Sequence, residues 1–116
     1  MSVEDTLYAT LGPTCANRAY PVKAPPGVAK PYLTFQQVGG QAINFVEAEV
    51  PGLRNAVFQI NCWSTTNAAA KALAIAAEEA LIEAVTLQTT VLGAATIVYD
   101  EVAQLYGSRQ DFSVWY

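Results

Sequence analysis

Apolar residues along this chain follow two different periods, and the switches between them mark out the elements. Val3, Leu7 and Leu11 are spaced i, i+4, i+8, which gives a short helix one apolar stripe. Ser2 with Asp5 three residues later makes a capping-box-like start, and Gly12-Pro13 ends the helix. Residues 13–31 then carry Pro13, Pro21, Pro25, Pro26 and Pro31, with Gly27 among them. Proline fixes φ and removes a backbone donor, so this stretch predicts an ordered, extended connector inside one domain.

Period two takes over next. Residues 32–38 read as a strand and 54–63 as a second, where Val57, Gln59 and Asn61 alternate with Phe58, Ile60 and Cys62. Gly39-Gly40 and Pro51-Gly52 mark turns between them. The piece 42–50 alternates loosely and predicts a protruding β-ribbon, too thin to bury Phe45, Val46 and Val50. Exposed apolar groups on such an element mark a partner site. Thr65, Thr66 and Asn67 are all competent N-caps. They open a predicted helix over 67–85, about 28 Å long, with Leu73, Ala77, Ala80, Leu81 and Ala84 on its small apolar face. Residues 90–99 predict a strand, 100–106 favour no element, and 109–116 predict a last strand.

That last strand places Phe112, Val114 and Tyr116 on one face and Asp111, Ser113 and Trp115 on the other. Chain ends usually fray, so two large aromatics there predict a tie into a sheet, an assembly surface, or both. Helix, strands, helix, strands is an α+β order. The expected fold is a mostly antiparallel β-sheet packed against a long Ala-rich helix and a short N-terminal helix.

Length and composition fit this picture. The 116 residues suit one domain, 1–116. Folding should reduce the surface from about 18,000 Å² to roughly 6,100 Å², enough for one core without a metal or disulfides. Charged residues make up only 14%, against roughly 25% for an average domain. Either part of the surface is covered by other copies or other proteins, or alanine simply inflates the apolar share. Net charge is −4 with six Lys and Arg, which argues against specific nucleic-acid binding. No run approaches the ~18 apolar residues of a membrane span, and Ser2-Val3-Glu4-Asp5 is not the basic start of a signal peptide. A cytosolic protein with free thiols at Cys15 and Cys62 is expected. The alternation at 58, 60 and 62 makes Cys62 a small buried apolar residue, whereas Cys15 falls in a predicted loop.

Candidate chemistry is sparse. Histidine is absent, which removes the commonest general base and metal ligand. Two cysteines 47 positions apart make no zinc pattern, and Gly39-Gly40 lacks the surroundings of a phosphate loop. Ser108 and Ser113 have no base beside them in sequence, and the pairs Glu47/Glu49 and Asp100/Glu101 lack any sign of a sugar cleft. The chain therefore predicts no catalytic, cofactor-binding or metal-ligating residue. Tyr32, Phe35, Phe58 and Phe112 are assigned to the core. Glu79 and Glu83 share an outer helix face, either solvated or an acidic patch for a basic partner. Arg109 and Asp111 share a strand face, as a surface pair worth under ~1 kcal/mol or at a subunit contact. Phe45, Val46, Val50, Arg109, Asp111 and Trp115 are thus the candidate interface residues.

Two stretches carry a family resemblance: Arg18-Ala19-Tyr20-Pro21 … Ala24-Pro25-Pro26-Gly27 … Pro31-Tyr32-Leu33-Thr34-Phe35-Gln36-Gln37-Val38, and the ending Arg109–Tyr116. In order and spacing they resemble the tail-completion (tail-to-head joining) proteins of long-tailed phages and prophages, from the first helix to the last residue. The resemblance implies a structural protein made in a bacterial host's cytoplasm and placed at the head-proximal end of a virion tail. There copies would form a ring of six that contacts the tail-tube protein and the head connector or neck protein. It also implies a long hairpin at the predicted ribbon. Pro13–Asn17 is shorter here than the corresponding segment of many relatives. Two rival readings are a head-side neck or connector ring subunit and a small soluble ligand-binding domain with no virion role.

Overall fold

Ser2 starts the first helix through both halves of the capping box. In the computed structural model, which describes residues 2–42 and 52–116, helix α1 spans Val3–Leu11. Ser2 Oγ accepts from the Asp5 N–H at 3.1 Å, and the Ser2 N–H donates to the Asp5 carboxylate at 3.2 Å. The bonds from Ser2, its backbone N–H first, hold the Asp5 carboxyl below its usual range. Val3, Leu7 and Leu11 are buried as one stripe. A 3-10 turn over Gly12–Cys15 follows, so Cys15 is a buried helical residue where the sequence predicts a loop.

The proline-rich connector is ordered by specific bonds. The Arg18 guanidinium Nε donates to the Pro31 carbonyl at 2.9 Å, and the Leu33 N–H donates to the Arg18 carbonyl at 3.0 Å. Short strand β1 (Ala19–Pro21) thereby lies parallel to β2 (Tyr32–Gly39). Strand β3 (Asn55–Ser64) runs antiparallel to β2. Helix α2 (Asn67–Glu83) follows, with Thr66 Oγ1 accepting from the Ala69 N–H at 3.1 Å. Ala70, Leu73, Ala74, Ala77 and Leu81 are its buried residues, and the small alanines let it approach the sheet closely. Ala84 is its cap and only half-buried. The fold is α+β, with a mostly antiparallel six-stranded sheet and β1–β2 as its parallel pair.

The last quarter of the chain departs from expectation. The predicted strand 90–99 is two strands, β4 (Thr90–Val91) and β5 (Thr96–Asp100), both antiparallel to β6 (Leu105–Trp115). Val91 lies opposite Phe112 and Thr96 opposite Arg109, so residues 92–95 face only residues 110 and 111. Two extra residues cannot stay in the ladder, and the chain loops out around Gly93. The Gln110 amide fills the gap, donating to the Gly93 carbonyl at 2.8 Å and to Glu78 Oε1 at 3.0 Å. The last strand begins at Leu105, not at 109. It is reached through a tight turn in which Asp100 Oδ1 accepts from the N–H groups of Val102 (3.0 Å) and Ala103 (3.2 Å).

Both helices lie on one face of the sheet. Leu33, Phe35, Ala56, Phe58, Ile60, Cys62, Phe112 and Val114 form the buried floor beneath them. Phe58 faces Phe112 across β3 and β6, and Phe35 faces Ile60 across β2 and β3. Tyr32 departs from its core assignment: it has the opposite parity to Leu33, so it is half-buried on the other face.

Cys15 and Cys62 are free and buried. Burial pushes the Cys62 thiol up to about 12, with Cys15 nearby adding to the shift, and burial likewise raises Cys15. A thiol held protonated in the fold but free to ionise unfolded stabilises the protein only below its unfolded pKa. Stability should therefore fall as pH rises from about 9 toward 12, and Cys62→Ala should remove part of that slope in denaturant titrations. Native protein at pH 8 should also resist alkylation at both thiols until it is unfolded. Rapid native labelling would contradict the burial.

Candidate functional site

The face of the sheet turned away from the helices is built by residues of one parity on each strand. Register places Tyr32, Thr34 and Gln36 of β2 beside Gln59, Asn61 and Trp63 of β3, and these beside Arg109, Asp111 and Gly107 of β6. Arg109 Nε donates to Asn61 Oδ1, its cross-strand neighbour, at 3.1 Å. Asn61 Nδ2 in turn reaches Gln59 Oε1 at 3.4 Å. Trp63 lies over Gly107, where the missing Cβ makes room: an atom built there would sit 2.6 Å from Trp63 Cζ3.

Tyr32, Thr34, Gln36, Gln59, Asn61, Trp63 and Arg109 line a groove of about 400 Å³, which Lys23 of the connector and Asp100 of the β5–β6 turn also border. Burial pushes the Tyr32 hydroxyl above its ordinary range, and the Asp100 carboxylate adds to it. Such a surface can hydrogen-bond through amides and a guanidinium and can stack against two aromatic rings. It has no nucleophile beside a base, and no group of three metal-ligating side chains exists among the described residues.

The other end of the same face is held by Asn55. Its Oδ1 accepts from the Gln41 N–H at 2.9 Å, while Nδ2 donates to Ser113 Oγ at 2.8 Å and to the Val114 carbonyl at 3.1 Å. Beyond it the Tyr116 N–H donates to the Arg54 carbonyl at 2.9 Å, and the Arg54 N–H donates to the Tyr116 carbonyl at 2.6 Å. The last residues are thus tied into the sheet. The Tyr116 ring nevertheless departs from its expected place beside Phe112 and Val114. It is 40% exposed and lines a shallow cleft with Leu53 and Arg54.

Arg109, Asp111 and Trp115 all fall on this open face, Arg109 exposed and the other two half-buried. Arg109 takes Asn61 as its partner, and Asp111 Oδ1 is buried without a hydrogen bond. Phe45, Val46 and Val50, with the predicted ribbon, lie outside the described residues. Sequence reading passed over Trp63, Lys23 and Tyr32 as members of one surface. Extending the Val57, Gln59, Asn61 series by one step places Trp63 there.

No curated protein matches the chain. Among solved structures it is similar to a chain of the "Virion of native gene transfer agent (GTA) particle". The two share 18% identity at a TM-score of 0.51, over 94% of this chain and 90% of the other. A likeness at that identity establishes the shared fold. A family model described as "Tail completion protein gp17" matches residues 5–116, and the chain therefore belongs to the tail completion protein gp17 family.

Proposed function

We propose that this chain is a structural protein at the head-proximal end of a phage-type tail, where six copies form a ring that completes the tail and joins it to the head connector. The carrying observation is the family match over residues 5–116, and the likeness to a chain from a gene transfer agent virion supports a particle-borne role. A structural family of this kind implies a non-enzymatic role. The protein would assemble in the host cytoplasm and remain in the virion tail, against the tail-tube protein on one side and a neck or connector protein on the other. Arg109, Asp111 and Trp115 on the open face, together with Phe45, Val46 and Val50, are the proposed contact residues. Buried tryptophans are frequent energetic anchors of such contacts.

Deleting the gene tests the role. Heads and tails should then accumulate unjoined, with infectious titre restored when the wild-type chain is supplied in trans. Cryo-electron microscopy of complemented particles should place the chain as a ring on the tail side of the joint. Full titre without the gene, or particles lacking the chain, would overturn the proposal, and density on the head side would select the neck reading instead.

A further inference from the structure

The helix layer stops short of one sheet edge. Helix α1 packs against β1 and α2 against β3 and β6, leaving β5 at the far edge. Ile97 and Tyr99 of β5 and Tyr106 of β6 have the register parity of buried Ser108, so they stand on the helix side of the sheet. Yet they are 38–50% exposed, as is Ile75 on the adjoining flank of α2 at 49%. Tyr99 and Tyr106 lie ring to ring at 4.9 Å. Between α2 and this bare strand runs a cleft of about 330 Å³ lined by Lys71, Ile75, Glu78, Ala94, Ile97 and Gln110. Glu78 Oε1 accepts from the Gln110 amide at 3.0 Å, and Lys71 is the one cationic side chain in the lining.

Outward from α2's buried stripe stand Ala68, Ala72, Ile75 and Ile82, exposed among the charged Lys71, Glu79 and Glu83. Ile75 and Ile97 at the cleft, with Tyr99 and Tyr106 further along the strands, leave apolar side chains exposed, the kind of surface that a partner covers. A third helix beside α2 would complete the layer, and the described residues do not supply it.

We propose that this cleft receives helix α1 of a second copy of the chain, with Tyr8 inserted between α2 and β5 and Glu4 facing Lys71. The assignment rests on the ring reading and specifies its contact. Helix α1 lies at the opposite end of the layer, over β1, so a head-to-tail repeat brings the α1 of one copy to the β5 end of the next. A heterologous contact of that kind closes into a ring when its rotation permits. Glu4 and Tyr8 are four residues apart on one flank of α1, and both are exposed, Tyr8 by 45%. The helix carries acids in its first turn and no base in its last, and Lys71 is the one cationic side chain in the lining of the cleft.

Charge exchange in the full chain tests this in a complementation assay. Lys71→Glu and Glu4→Lys should each lower infectious titre by at least about tenfold, since like charges would face each other across the contact. The double variant should recover most of the loss. Singles without effect, or a double variant no better than its parents, would overturn the contact. Independently, particles carrying Tyr8→Cys together with Ile97→Cys should yield a ladder of disulfide-linked multimers on mild oxidation; neither native thiol competes, because both are buried. If wild-type particles hold the chain as a ring and that ladder is missing, the contact is refuted while the ring reading stands. If wild-type particles hold no ring, the reading beneath it fails.

Discussion

Phe58→Ala is expected to destabilise the protein by about 3–5 kcal/mol, the range for removing a buried aromatic. Against a total of about 5–15 kcal/mol for a domain, that leaves the variant close to unfolding. Phe58 is 1% exposed and lies directly opposite Phe112, which is equally buried. Collapse into the vacated space is restrained because β3 is held on both sides, by β2 and by β6. The cost should therefore sit toward the upper end of the range. Val57→Ala, one residue away and half-buried on the other face, should cost clearly less. Urea denaturation of the two variants checks both statements. A Phe58→Ala midpoint equal to wild type would mean that the sheet buries its other face.

Much of this architecture is legible in the chain because it rests on local rules. Ser2 and Asp5 announce α1, and the structure shows both reciprocal bonds. The alternation at 57–62 fixes the inner face of β3, and Cys62 is buried as that parity requires. What is not legible depends on pairing between distant residues. The apolar, β-branched run 90–99 carries little internal sign of a break, since the break arises from its register against β6. Gly93 is its one local hint, and the bond from Gln110 that closes it comes from 17 residues away. Asp100, by contrast, begins a recognisable turn that a weaker reading of 100–106 overlooks.

The candidate surface divides in the same way. Parity places Arg109, Asp111 and Trp115 together on one face, and register confirms that grouping. Parity alone could not show that Tyr116, on the core side, opens into a cleft beside Arg54. Nor could it show that the helix layer leaves β5 bare, because layer coverage is a property of the assembled fold. Aromatic character likewise misplaces Tyr32: an amphipathic ring suits a half-covered open face as well as a core.

Gly107→Val should be the most damaging substitution on the open face, at the upper end of the roughly 1–3 kcal/mol typical of overpacking. Gly107 pairs with Trp63 on one side and with Val98 on the other. A Cβ at this position would lie 2.6 Å from Trp63 Cζ3, 2.7 Å from Cε3 and 2.9 Å from Val98 Cγ2. The backbone of β6 cannot retreat, because it is bonded to strands on both edges. The indole must therefore move, and a rigid bicycle moves only by leaving its rotamer. Trp63→Ala should suppress the defect: in that background Gly107→Val should cost less, with a coupling of about 0.5–3 kcal/mol between the two positions. A double-mutant cycle from denaturant midpoints measures it. Strict additivity would show that Trp63 does not rest on Gly107. Strong coupling would also mean that Gly107 keeps the indole flat against the sheet, so that the groove beside Arg109 owes its aromatic wall to an absent side chain.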